Sequence, residues 1–207
     1  MRVLVACEES GRVRDCFRDK GHDAISLDLL PTSSPGPHRQ EPLTPEVLSE
    51  GWDLIVAFPP CTDLSAIGAS SWKTKQADGR QQRAFEFVKM IWDAPVSKIA
   101  IENPVGWLNS HWRKPDQIIH PWQFGDPYTK RTCLWLKGLP KLVPSVTIKP
   151  EEPIPWVTGQ RIRLPDGSLG VDPKDKGSSR RGSSESVKAL RSKTFRGIAQ
   201  AMAKEWC

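Results

Sequence analysis

Residues 53–68 read Asp-Leu-Ile-Val-Ala-Phe-Pro-Pro-Cys-Thr-Asp-Leu-Ser-Ala-Ile-Gly, an apolar strand that runs into Pro59-Pro60-Cys61 and then a polar turn. Forty-one residues after the cysteine, a second apolar strand, Ile99-Ala100-Ile101, ends in Glu102-Asn103-Pro104. Each strand delivers one reactive side chain at its carboxyl end, the edge of an open α/β sheet where ligands bind. Cys61 is the candidate nucleophile and Glu102 the candidate acid. The prolines fix φ and remove two backbone donors, so they make a stiff turn that can aim the sulfur out of the sheet.

Outward from this pair, strand and helix signals alternate. Residues 2–6 form a short β-branched run, followed by Gly11 and a helical stretch ending near Lys20, with Gly21 as its C-cap. Residues 24–27 read as the next strand, with Asp28 at its end. Residues 31–45, rich in Pro, Ser and Gly, are expected to form a surface loop. The helical period returns over 78–93, where Ala84, Val88, Ile91 and Trp92 share one face. A Trp-rich loop at 105–115 and strands near 117–123 and 132–136 complete the pattern. The expected fold class is α/β, a doubly wound and mostly parallel sheet.

The order Pro-Cys then Glu-Asn-Pro, each after a strand, resembles the DNA cytosine-C5 methyltransferases. The resemblance covers roughly residues 1–138 and, loosely, the final helix. It implies a Rossmann-like fold that binds S-adenosylmethionine, with double-stranded DNA as partner and a base flipped out of the duplex. The chemistry accounts for the residue types. C5 of cytosine is too poor a nucleophile until a thiolate adds to C6 and a carboxyl group serves N3. Cys61 would add and Glu102 would serve N3. In the family's Gln-x-Arg-x-Arg position stand Tyr128, Lys130 and Thr132, with Arg131 one place off, so Lys130 or Arg131 would hold Glu102 and the base.

The same resemblance places the donor at the first strand-turn-helix unit. The family's Phe-x-Gly-x-Gly-Gly is here Cys7-Glu8-Glu9-Ser10-Gly11-Arg12, so Cys7 and Gly11 are the candidate donor-turn residues. Asp28 would accept hydrogen bonds from the donor ribose, and Glu41, or Asp53, would meet its adenine amino group. Pro59 falls on the donor side of the Cys61 turn. Pro60, Ser65 and Asn103 fall on the substrate side, Ser65 within the loop that closes on DNA and Asn103 as a brace for the turn. Two other readings share these motifs: an RNA (tRNA) cytosine methyltransferase, and a catalytically silent nucleic-acid-binding protein with this fold. An amino-group methyltransferase is disfavoured, because its Asp/Asn-Pro-Pro-aromatic motif is replaced by Phe-Pro-Pro-Cys.

At 207 residues the chain has room for one α/β domain and a short appendage. From Pro140 to Lys193 it becomes rich in proline, then in Gly, Ser and Arg, with a hairpin expected around Pro165-Asp166-Gly167. Residues 161–196 hold ten Lys or Arg against four acids, an excess equal to the whole net charge of +6. The expected organisation is therefore a catalytic domain at 1–139, a basic target-recognition insert at 140–193 and a helix at 194–207 that returns to the domain. Arg180, Arg181 and Arg191 are the insert's candidate DNA contacts. Five cysteines without a Cys-x-x-Cys pair and four scattered histidines predict no metal. No signal peptide or long apolar run is present, so a cytoplasmic monomer without membrane contact is expected, of a compactness that suggests a phage or mobile-element enzyme.

Overall fold

The computed structural model describes residues 1–147, 154–155, 161–163, 169–171 and 194–207. In chain order the core elements are β1 (Arg2–Ala6), α1 (Arg12–Arg18), β2 (Asp23–Asp28), β3 (His38–Gln40), α2 (Pro45–Leu48) and β4 (Leu54–Ala57). There follow α3 (Trp72–Ala77), α4 (Arg80–Trp92), β5 (Ile99–Pro104), α5 (Trp107–His111), β6 (Gln117–Ile119), β7 (Tyr128–Thr129) and β8 (Thr132–Lys137). Three short strands, β9 (Ile154–Pro155), β10 (Arg161–Arg163) and β11 (Leu169–Val171), precede α6 (Arg196–Glu205).

Seven strands form one sheet in the order β3-β2-β1-β4-β5-β8-β6. The first five in that order are parallel, whereas β8 runs antiparallel to both β5 and β6. This is the mostly parallel, doubly wound α/β sheet expected from the sequence. Pleating sends alternate residues to opposite layers. Val3, Val5, Leu54 and Val56 enter one apolar cluster with Val13 and Phe17, while Leu4, Ala6, Ile55 and Ala57 enter the other with Leu48, Val88 and Ile91. Burial on both faces is why these strands read as unbroken apolar runs. The chain leaves β1 toward β2 and β3, then returns to β4 on the other side, so the strand order reverses between β1 and β4. The crevice at that reversal lies beyond the carboxyl ends of both strands.

Several expected elements shift. The loop at 31–45 contains β3, an edge strand too short to show a period, which is held where the Ser26 hydroxyl meets His38 Nδ1 at 2.9 Å. The Trp-rich loop contains α5, begun where the Asn109 side chain accepts from the Gly106 N–H at 2.8 Å, with Trp107 packed 5.3 Å from Phe85. The strand near 117–123 stops at Ile119, because Pro121 opens a 3₁₀ turn to Phe124. The short α3 precedes α4 and has no apolar period of its own. Gly21 does end its helical segment, with φ of 80° and its N–H on the Arg18 carbonyl. In the basic insert β10 pairs with β11 as a hairpin. Its turn, and Arg180, Arg181 and Arg191, lie outside the described residues.

Helix α6 lies in the same apolar cluster as α1, through Ile198, Ala199, Met202 and Ala203. Trp206 is buried, and its indole donates to the Pro140 carbonyl at 3.0 Å. The approach is closest at Gly197, where a Cβ would stand 1.8 Å from the Phe124 carbonyl oxygen. No side chain fits at that spacing. Gly197→Ala should therefore displace the start of α6 and lower unfolding stability by roughly 1–3 kcal/mol, the usual cost of forcing an extra methyl into packed structure. Urea unfolding measures it, and an unchanged midpoint would show that the α6 end yields freely.

Candidate active site

Strands β4 and β5 are neighbours in parallel register, Ala57 beside Ile101, so their next residues emerge at one edge. Three groups of contacts fix the turn after β4. Asn103, 1% exposed, donates from Nδ2 to the Pro59 carbonyl at 2.9 Å and ties the start of the turn to the end of β5. The amides of Leu64 and Ser65 both bond the Cys61 carbonyl, at 3.0 and 2.8 Å. Further on, Ala66 N–H bonds the Val105 carbonyl at 3.0 Å, and Trp107 N–H bonds the Leu64 carbonyl at 2.7 Å. Glycine is required at 106, because a Cβ there would stand 2.0 Å from the Leu64 oxygen.

From below, α3 and α4 brace the same turn. Lys75, nearly buried, donates to the Thr62 carbonyl and pairs with Asp63 at 3.3 Å. Gln81 donates to the Asp63 carbonyl at 3.1 Å. Pro60 and Cys61 are left exposed, Pro59 is buried, and Ser65 is buried with its carbonyl accepting from the Trp72 indole at 3.3 Å. A recess of about 260 Å³ opens beside the turn, between Pro60 and Thr62 and the Arg80, Arg83 and Phe87 side chains of α4.

Glu102 and Lys130 meet at 3.7 Å, with both side chains mostly shielded from solvent. Arg131, the next residue, is exposed, so Lys130 is the cation brought to Glu102. These charges act on the thiol. Desolvation pushes the Cys61 pKa above the ordinary cysteine value and the Glu102 charge pushes it further, while Lys130 and Lys75 pull it down. The balance is upward, and at neutral pH Cys61 rests as a thiol.

The turn after β1 reaches the same crevice by an unusual route. Cys7 has φ of 58°, the left-handed region that L-residues enter at a cost of roughly 1–2 kcal/mol. Among the described residues it is the single non-glycine residue with positive φ. Burial, and then the charge of Asp28, lift its thiol to about 12, so Cys7 and Asp28 share one environment at the ends of β1 and β2. Gly11, with φ of 71°, opens α1. Asp28 accepts from the Leu30 N–H at 2.9 Å, and its carbonyl takes the Glu41 N–H at 3.1 Å. Glu41 thus stands at the crevice edge beside Asp28, its carboxylate held by Arg39 at 2.6 Å. Asp53 does not reach this edge. It precedes β4 at the opposite end of the sheet and accepts from the Arg2 N–H at 2.7 Å, which removes it from the donor set.

Two residues that were not among the candidates from the sequence, Glu8 and Arg14, build the turn after β1. Glu8, 4% exposed, accepts from the Ser10 hydroxyl and from the Val13 N–H through the same oxygen, and burial raises its pKa. Arg14 is fully buried, and its guanidinium donates to the Ser26 hydroxyl at 3.1 Å and to the Ser34 and Pro35 carbonyls at 3.2 and 2.9 Å. It fits because Gly11 and Gly36 lack side chains, since a Cβ on either would lie within 2.7 Å of it. The available signal was an arginine within the apolar stripe of Val13 and Phe17. Beyond Asp28, Leu29 is 68% exposed and offers an apolar surface at the crevice.

Among the described residues no three His, Cys, Asp or Glu side chains converge as a metal site, and no helix is long and apolar enough to cross a membrane. No family model and no curated protein matches the chain. Among solved structures, it is similar to an E. coli protein described as a candidate DNA modification methyltransferase encoded within a prophage. The identity is 14% and the TM-score 0.49, over 76% of this chain and 53% of that one. The chain thus spans about half the length of that structure.

Thiol reagents attack the thiolate, so site-resolved alkylation reads the charges around Cys61 directly. In the intact protein Cys61 should react slowly at neutral pH and faster as pH rises. Glu102→Gln removes a charge that raises the thiol pKa and should move the profile to lower pH. Lys130→Met removes a charge that lowers it and should move the profile to higher pH. Unit charges about 4 Å apart in water interact by about 1 kcal/mol, equivalent to roughly fivefold in rate at fixed pH. Profiles that ignore both substitutions would show that neither charge reaches the sulfur.

Proposed function

We propose that the chain transfers a methyl group from S-adenosylmethionine to C5 of cytosine in DNA, through a covalent bond between Cys61 and C6. The observation that carries this reading is the delivery of Cys61 and Glu102 by adjacent parallel strands to one edge, with Lys130 at 3.7 Å from Glu102. A thiol beside a carboxyl group, rather than a serine with a histidine or a metal cluster, suits addition to an electron-poor ring that is protonated elsewhere.

On this reading Glu102 takes the proton of the Cys61 thiol as the sulfur forms its bond to C6, and passes that proton to N3, so the ring electrons accumulate at C5. Lys130 holds the Glu102 carboxylate in place and supports the base carbonyl. C5 takes up the methyl group as the bond from methyl to the donor sulfur breaks and leaves a neutral thioether; solvent takes the C5 proton, and the electrons of that C–H bond expel the Cys61 sulfur as a thiolate. The proton on N3 passes back through Glu102 to that thiolate, which returns the site to its starting state. The donor supplies an electrophilic methyl group and nothing else.

The crevice residues fit such a donor. Asp28 is an acceptor at a strand end suited to ribose hydroxyls, and the exposed Leu29 next to it is an apolar surface for a base. At the other end of the turn, Glu8 Oε2 is buried without a hydrogen-bond partner, a site of unsatisfied negative polarity. Residues 140–193, with Arg180, Arg181 and Arg191, are proposed to face the DNA. Ser65 and Asn103, being buried, serve by shaping the turn that meets it. Glu9 and Arg12 in place of two glycines support a second reading, a catalytically silent nucleic-acid-binding protein. Calorimetry with S-adenosylmethionine separates the two, since the silent protein binds no donor.

Duplex DNA containing 5-fluorocytosine should form a denaturant-resistant adduct in the presence of the donor, because fluorine blocks the elimination that frees the enzyme. Cys61→Ala should abolish the adduct, and persistence of the adduct in that variant would place the nucleophile elsewhere. Glu102→Gln should lower turnover by roughly two to four orders of magnitude, the range of a positioned acid, with DNA affinity nearly unchanged. A parallel loss of affinity would make Glu102 structural.

Asp28→Ala tests the donor side alone. Loss of hydrogen bonds to a charged acceptor should weaken donor binding by roughly 2–4 kcal/mol while DNA binding persists. An undiminished calorimetric affinity would remove Asp28 from the site.

A further inference from the structure

The segment 123–130 holds the described parts of residues 140–197 at separate points. The Gln123 carbonyl accepts from the amides of Ser145 and Val146 at 2.9 and 3.0 Å, where the chain leaves the core. Farther along, Tyr128 and Thr129 pair in parallel with Ile154 and Pro155. Where the chain returns, the Tyr128 ring lies 5.5 Å from that of Phe195, the N-cap of α6, and the Asp126 carboxylate accepts from the Gly197 N–H at 3.2 Å. Tyr128 therefore touches both an internal strand of the insert and its returning end. Two residues later the same segment presents Lys130 to Glu102.

We propose that this segment is a strap through which the insert positions Lys130 against Glu102 and Cys61, with Tyr128 as the positioning residue. The inference rests on reading Cys61 and Glu102 as the reacting pair. The mechanical argument is short. Only Thr129 separates Tyr128 from Lys130, so the backbone that the tyrosine ring anchors is the one from which the lysine stem reaches Glu102 at 3.7 Å. Glu102, by contrast, is fixed in the sheet by the β5 and β8 ladder. Loss of the Tyr128 ring contact thus frees the backbone that carries Lys130 and leaves the carboxylate in place.

Among the described residues, the charged groups acting on Cys61 are Glu102, Lys130 and Lys75, so the thiol itself reports where Lys130 stands. The test is site-resolved alkylation of Cys61 across pH in the full chain, without DNA or donor, for Tyr128→Ala, Tyr128→Phe and Lys130→Met. Tyr128→Ala should shift the Cys61 profile to higher pH and slow neutral alkylation by up to roughly fivefold, as Lys130→Met does. Tyr128→Phe, which keeps the ring, should behave as the unaltered protein. In the Lys130→Met background Tyr128→Ala should add nothing. If Tyr128→Ala does not fold, Phe195→Leu loosens the same contact from the other side and should give the same shift. A Cys61 profile indifferent to both variants, or an equal shift in the Lys130→Met background, overturns the strap. Because neither DNA nor donor enters the assay, a failure of the methyltransferase reading would appear separately, as absence of the fluorocytosine adduct.

Discussion

The whole site depends on one close approach, that of the turn after β4 to the chain leaving β5. At Gly106 the Leu64 carbonyl stands where a side chain would be, and the hydrogen bonds on either side hold the two backbones together as an isolated antiparallel bridge between Ser65 and Gly106. Asn103 makes the matching tie at the other end of the turn, to Pro59. Between these points the polypeptide has little freedom, so the Cys61 position is set by β5, the strand that carries Glu102. A nucleophile on a free loop would have to be ordered at each turnover. Here the ordering is built into the fold, in the sense that rigid neighbours over-determine the geometry before any ligand arrives.

That geometry makes Cys61 and Glu102 interact through their charges. Glu102 as a carboxylate raises the Cys61 pKa, and a proton on Glu102 removes that effect. Thiol with carboxylate and thiolate with carboxylic acid each carry one negative charge, and the proposed chemistry needs the second of them. Desolvation disfavours the doubly ionised state, and the lysines at 75 and 130 stabilise the single charge that remains. The same two lysines also act mechanically, Lys75 beneath the turn and Lys130 against Glu102, so their removal has structural and electrostatic consequences together.

The parts of this arrangement that were legible in the sequence are those fixed by local pattern. Strands buried on both faces announce themselves as apolar runs, and α4 by its period, so β1, β2, β4, β5 and β8 and the two strand-end residues could be placed. Elements made by tertiary contact could not. β3 exists because Ser26 and Arg14 organise the chain around it, and α5 because Trp107 finds Phe85. Asp53 illustrates a sharper limit: β4 begins one residue after it, and a strand carries its two ends to opposite edges of the sheet. An acid at the wrong end is some four residues of rise from the crevice, at about 3.3 Å per residue.

The donor turn shows why motif spacing alone misjudges a site. A glycine-rich turn is read as such because glycine enters the left-handed region at no steric cost. This chain keeps left-handed backbone at positions 7 and 11 but uses glycine only at the second. The strain at Cys7 has to be offset by its surroundings, and they are present: Glu8 is locked by Ser10 and the start of α1, and its amide bonds the Leu27 carbonyl at 3.2 Å. Arg14 then fills the space beside Gly11 and carries the fixed turn across to residues 34–37. The burial of a carboxylate and a guanidinium so close to a strained residue costs stability unless each is bonded, and each is, apart from one Glu8 oxygen. A turn shape set elsewhere by sequence is here set by side chains packed behind it. Substitutions at Arg14 or Ser10 should therefore disturb the crevice as directly as substitutions in its wall.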